Sequence, residues 1–89
     1  MNKQQFKNIV ADGLKRGKNF LIVKIETEGN PAAEIIINPV ENVASKMAYY
    51  EKAYNDDLEL IAAKSNGKSI RITDVIMTSN LSDLAWFVY

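Results

Sequence analysis

NPVENVASKMAYYEKAYNDDLELIAA, residues 38–63, is the stretch on which the fold turns. Its start carries a helix-entry signal. Asn38 suits the N-cap, and Pro39 suits the first helical position, where no backbone donor is needed. Glu41 suits the third, from which a carboxylate can bond back to the cap amide. Val40, Val43, Met47, Tyr50 and Tyr54 then recur at steps of three and four, and the same phase continues to Leu58, Ile61 and Ala62. The spacing predicts one helix from 39 to about 64, ended by Ser65-Asn66-Gly67 and kinked near 55–57. A competing reading breaks the helix at Asn55-Asp56-Asp57, three poor helix formers in a row, and makes LELIAA a strand.

Working outward, residues 3–16 read as an amphipathic helix with Phe6, Ile9, Val10, Gly13 and Leu14 at helical spacing. Lys15, Arg16 and Lys18 fall at the negative end of its dipole, and Gly17 suits the position just past its end. Phe20–Ile25 is a short run rich in β-branched residues, apolar on both faces except for Lys24, and reads as a central strand. Gly29-Asn30-Pro31 supplies a turn, and 32–37 gives a second strand, so the pair is a hairpin. Beyond Gly67, SIRITDVIM alternates: Ile70, Ile72 and Ile76 share one face, with Asp74 the exception, and Arg71, Thr73, Val75 and Met77 share the other. TSNLSDLAWFVY opens with capping residues, and Leu81, Leu84, Ala85 and Val88 predict a short C-terminal helix; a final strand AWFVY is the alternative.

The resulting order is α-β-β-α-β-α, a single small α+β domain spanning 1–89. A helix between the second and third strands makes those two parallel. The most apolar strand then lies in the middle of a three-stranded sheet of order 2-1-3, with helices packed on it.

Composition bounds the function. The chain has 89 residues, 47% apolar and 25% charged, which is ordinary globular usage. A domain of this size hides only roughly 60–65% of its unfolded surface, so a homodimer or higher oligomer would be a natural way to bury more. There is no cysteine and no histidine. That removes disulfides, thiolate chemistry, the commonest metal ligand and the usual general base near neutral pH. No segment has signal-peptide or membrane-spanning character, so the expectation is a cytoplasmic protein with no membrane partner. The net charge is zero but unevenly spread. Residues 1–18 carry a net +4 and residues 19–67 a net −4. Attraction between the two within the fold is the simplest account, and orientation of a partner is the other.

No constellation specifies a reaction. SNGKS, residues 65–69, lacks the spacing of a phosphate-binding loop and leads into a strand. The element order is close to one type of KH domain, but where that fold carries a GXXG loop this chain reads YNDDL, which is acidic and repels phosphate. The sequence therefore argues against a nucleic-acid partner. Asp56, Asp57 and Glu59 are oxygen ligands without the spacing or glycine of a calcium loop, and read as a solvated acidic patch. No nucleophile–base pair or carboxylate pair stands out, so the expectation is a non-enzyme with no cofactor and no metal.

What remains is surface for binding. Tyr50 and Tyr54 belong to the apolar stripe, whereas Tyr49 points nearly opposite it and is a candidate contact residue. Glu51 falls within the stripe, which suits a carboxylate at the core margin bonded to a tyrosine hydroxyl or a lysine. The candidate partner- or ligand-binding residues are thus Tyr49, Tyr50, Glu51, Tyr54, Asp56, Asp57 and Glu59. Trp86, Phe87 and Tyr89 form a second aromatic group that core or dimer packing explains equally well.

INPVENVASKMAYYEKAYNDDLEL, residues 37–60, resembles a pattern of small accessory proteins of bacterial phages and integrated mobile elements. There an INP-x-EN start is followed by a helix ending in YY-x-KAYN-x-DL and then by an isoleucine-rich strand. The likeness covers about a quarter of the chain and departs in the tail TSNLSDLAWFVY. It implies a phage or mobile-element accessory protein acting in the host bacterial cell, and transfers no catalytic residue. Joined to the absence of a catalytic set, it leads to the expectation of a protein that binds and blocks a host protein, as an inhibitor of a defence system would. The alternative is an oligomeric binder or sponge for a nucleotide-like signal, with a pocket drawn from Tyr50, Glu51, Tyr54 and the basic first helix.

Overall fold

Leu21, Ile22 and Val23 are each completely buried. Side chains that alternate across a strand can be so only where both faces are covered. They lie in β1 (Phe20–Thr27), which pairs on one side with β2 (Glu34–Pro39) and on the other with β3 (Ile70–Thr78), in the order β2-β1-β3. β1 is antiparallel to both neighbours, so the outer strands run the same way. The expected α+β class and 2-1-3 order are those of the protein. The structure is a computed structural model and describes residues 1–88.

On one face lie α1 (Lys3–Lys15) and α2 (Val43–Ala53). α1 starts at a capping box: the Gln5 amide donates to Asn2 Oδ1 and the Asn2 amide to Gln5 Oε1, both at 2.8 Å. Phe6 and Val10 of this helix join Leu21, Val23, Tyr50 and Ile72 in the main core. Gly13 lets α1 approach β3, where Met77 occupies the space a Cβ would need. Ile22 and Phe87 are buried outside that cluster. Ile22 marks the second face of the sheet, and Phe87 belongs to the C-terminal segment, a 3-10 turn (Leu81–Asp83) followed by a single turn of helix.

Four expectations need correction. The NPVE stretch does not start a helix. β2 runs on through Pro39, the Val40 amide extends the ladder by donating to the Asn19 carbonyl at 2.8 Å, and α2 begins only at Val43 after a 3-10 turn over Val40–Asn42. Asn38 is buried, and its Nδ2 donates to the Leu21 carbonyl at 3.3 Å rather than capping.

Nor is there one helix to residue 64. α2 ends at Ala53, and a separate short helix, α3, spans Ile61–Ser65. The Asn55 side chain takes the amides of both Asp57 and Glu59 at 3.0 Å, and Leu58 sits in the left-handed region at φ 61°. This local bonding offers the backbone an alternative to the helix. The competing strand LELIAA is not formed either; the segment contributes isolated bridges, Tyr54 to Leu60 and Glu59 to Arg71.

The third strand changes face midway. Lys24 pairs with Asp74 but Ile25 pairs with Ile72, so Thr73 is left over in a β-bulge. Ile72, Val75 and Met77 thereby share the helix side, and Ile76 faces away. Last, the C-terminal helix α4 (Leu84–Phe87) buries Phe87, while Leu81 and Val88, two residues of the expected stripe, are exposed. One turn of helix is too short for its period to set the buried side. Tyr89 lies outside the described residues.

Candidate functional site

The last turn of α2 brings Tyr49 and Tyr50 over the sheet, and Tyr54, the extended residue that ends the helix, folds in beside them. The three rings meet edge to face. Centroids lie 5.5 Å apart for Tyr49–Tyr50, 6.4 Å for Tyr49–Tyr54 and 5.8 Å for Tyr50–Tyr54. The Phe6 ring meets Tyr50 at 5.5 Å and ties the cluster to α1. Such contacts each add about 0.5–1.5 kcal/mol beyond burial, so the group is held rigidly. Tyr50 and Tyr54 are buried, whereas Tyr49 is 52% exposed.

Beneath the rings is a cleft of about 340 Å³ floored by Ile25, Ile36, Leu60 and Ile70, with Thr27, Glu34 and Lys46 at its polar margin. Burial raises the Tyr50 hydroxyl above the usual tyrosine range, and the polar Asn38 side chain opposes part of that rise. Burial, the neighbouring tyrosines and the Glu34 carboxylate together push Tyr54 up to about 12. Both phenols are therefore neutral at physiological pH. They can donate hydrogen bonds and offer ring faces, but they do not supply a tyrosinate base or nucleophile. Glu34 is the charged group whose field reaches both hydroxyls.

The other candidate residues lie elsewhere. Glu51 leaves the tyrosines and bonds Lys7 at 2.8 Å, which holds its carboxyl below the usual glutamate range. The Lys3 ammonium donates to the Glu51 carbonyl and the Lys3 amide to the Asp56 carbonyl, each at 2.9 Å. With Asp57 these groups line a second cleft, of about 410 Å³, at the start of α1. The basic first helix and part of the acidic middle thus pair with each other. Glu59 is separate again: its Oε1 accepts from Asn55 Nδ2 at 3.2 Å and from Lys64 Nζ at 3.1 Å, and both bonds lower its pKa. The seven residues therefore divide among three places: Tyr49, Tyr50 and Tyr54 share the tyrosine cleft, Glu51, Asp56 and Asp57 share the second, and Glu59 stands apart from both.

Sequence reasoning missed Glu34, Asn38 and Lys46. A signal for the first two was present. In a strand that runs through 38, Glu34, Ile36 and Asn38 share one face, and two polar residues on a helix-covered face mark a site. Reading Asn38 as a cap hid that alternation.

Compared with known proteins, the chain matches no family model, no curated protein and no solved structure. Among the described residues, no helix is long and apolar enough to cross a membrane.

Proposed function

We propose that this is a non-enzymatic binding protein that works by occupying another protein. Taken with the resemblance to phage and mobile-element accessory proteins, the target is a protein of the host bacterial cell, and blocking a defence system is the purpose that fits. The observation that carries the reading is Tyr49. A tyrosine half open to solvent costs little conformational entropy to dock when its ring is already locked, and this one leans on two buried rings. Large, rigid, amphipathic anchors of this kind dominate protein interfaces.

The test compares the wild-type chain with Tyr49→Ala, each immobilised and exposed to host lysate. One or more host proteins should be retained by the wild type and lost from the variant, and the retained protein's own activity should fall when wild-type chain is added. Identical retention by both chains, or retention with no effect on the target's activity, would sink the proposal.

A further inference from the structure

The tyrosine cleft opens beside a sheet edge that nothing among the described residues covers. The Val40–Asn19 bond fixes the phase of the antiparallel ladder. Hydrogen-bonded pairs alternate along it, so Glu34, Ile36 and Asn38 bond inward to β1. The amides and carbonyls of Ile35 and Ile37 then point away from the sheet. The opposite edge is treated differently. There the first half of β3 is paired by the chain itself, with the Leu60 amide donating to the Ile70 carbonyl at 2.7 Å and the Ile72 amide to the Leu58 carbonyl at 2.9 Å. β2 has no such partner among the described residues. It carries no lysine and no bulge, and only Pro39 at its end interrupts the row of donors.

We infer that the occupant of this protein is an extended segment of its partner that adds to β2 as a fourth strand and lays an arginine or lysine side chain against Glu34 and the tyrosine rings. This rests on the protein-binding reading above and names the partner's chemistry. Charge complementarity selects the cation. Glu34 is exposed, forms no ion pair with the described residues, and faces the same side as Tyr49, Tyr50 and Tyr54. A side chain directly opposite it on an added strand would start about 5 Å away. A cation there meets a carboxylate and the negative faces of aromatic rings together. On the other face of the added strand, the exposed Ile37 favours apolar neighbours. A second copy of the chain fits less well. β2 reads EIIINP, so no register of self-pairing sets a positive charge opposite Glu34.

The experiment titrates the full chain with capped six-residue peptides of alternating valine and threonine, one carrying a central arginine. Amide resonances are followed by NMR. The arginine peptide should shift the Ile35 and Ile37 amides and slow their hydrogen exchange. Replacing its arginine with glutamate should weaken binding about tenfold or more, Glu34→Gln about fivefold, and N-methylation of the peptide amides that face β2 should abolish it. Equal binding of the arginine and glutamate peptides, shifts that spare Ile35 and Ile37, no binding at all, or self-association through β2 in the absence of peptide would each overturn the inference. The two proposals fail separately. If the peptides do not bind while Tyr49-dependent capture of a host protein persists, only the strand-addition inference falls. If capture is lost as well, both do.

Discussion

The Ile72 amide donates to the Leu58 carbonyl at 2.9 Å, and Leu58 reaches that position with its backbone at φ 61° and its side chain completely buried. Few non-glycine residues hold this conformation, which costs about 1–2 kcal/mol. The leucine is kept there because its side chain fills the core while its carbonyl closes the β3 edge. Truncating it to alanine should cost about 2–5 kcal/mol. Leu58→Gly should be no less stable than Leu58→Ala, because glycine relieves the strain that alanine retains. At Leu21, in ordinary strand geometry, the glycine variant should be the worse of the two. Urea midpoints of the four variants decide this; the same ordering at both sites would refute it.

Most of the sheet was legible because its cause is local. Phe20–Ile25 is apolar on both faces, and a covered helix between strands two and three leaves little choice of order. What escaped was decided by contacts between distant residues. Asn38-Pro39 satisfies a cap motif, yet β1 offers Asn38 a carbonyl at Leu21, and the ladder wins over the cap. The stripe from Val40 to Leu58 has helical phase, yet the Asn55 side chain and the open edge of β3 each claim backbone groups that a helix would have used. At the candidate site the tyrosines were visible because they came from one segment. Glu34 was not, because it comes from another strand and depends on register.

Gly13 faces Met77 so closely that a Cβ would overlap Met77 Cβ and Cγ. In an exposed helix, glycine to alanine gains up to about 1 kcal/mol. Here overpacking should reverse the sign. Gly13→Ala is expected to destabilise by about 1–3 kcal/mol. Gly17, at φ 71° with open space around it, isolates the other cause, since alanine there meets backbone strain and no clash. A thermal melt in which Gly13→Ala unfolds at or above the wild-type temperature would remove close packing as the reason for that glycine.

Thr73 is the extra residue of the β-bulge, and its Oγ1 is buried with no hydrogen-bond partner among the described residues. A buried hydroxyl left unpaired costs about 1–3 kcal/mol, whereas an apolar group of the same shape carries no such penalty. Thr73→Val should therefore raise stability by about 1 kcal/mol, where threonine-to-valine changes at bonded sites lower it. Thr78 is the control, since its Oγ1 donates to Asp83 Oδ2 at 2.6 Å and accepts from the Asn80 amide at 3.0 Å. Thr78→Val should be destabilising. If both changes move the urea midpoint the same way, the bonding state of the hydroxyl is not what governs these positions.

The tyrosine cluster predicts a stability loss in alkali, with Glu34 written into it. Tyr54 is pushed up to about 12 by burial first, then by Tyr49, Tyr50 and Glu34. In the unfolded chain it titrates near ~10. The folded state therefore holds the phenol proton more tightly. The resulting stability is intact below the unfolded value and is lost as pH rises from there through about 12, because unfolding releases a proton across that interval. Tyr50 acts in the same sense, its rise by burial opposed in part by the Asn38 side chain. The informative quantity is the difference between wild type and Tyr54→Phe, whose urea midpoint should fall less steeply with pH. Glu34→Gln should do something distinct. Removing the carboxylate leaves burial in place but takes away its repulsion of the phenolates, so the tyrosinate absorbance of the folded chain should appear at lower pH than in wild type. An unchanged absorbance titration in Glu34→Gln would mean that the carboxylate does not act on the cleft, and would take from the site the one charge on which recognition of a basic partner depends.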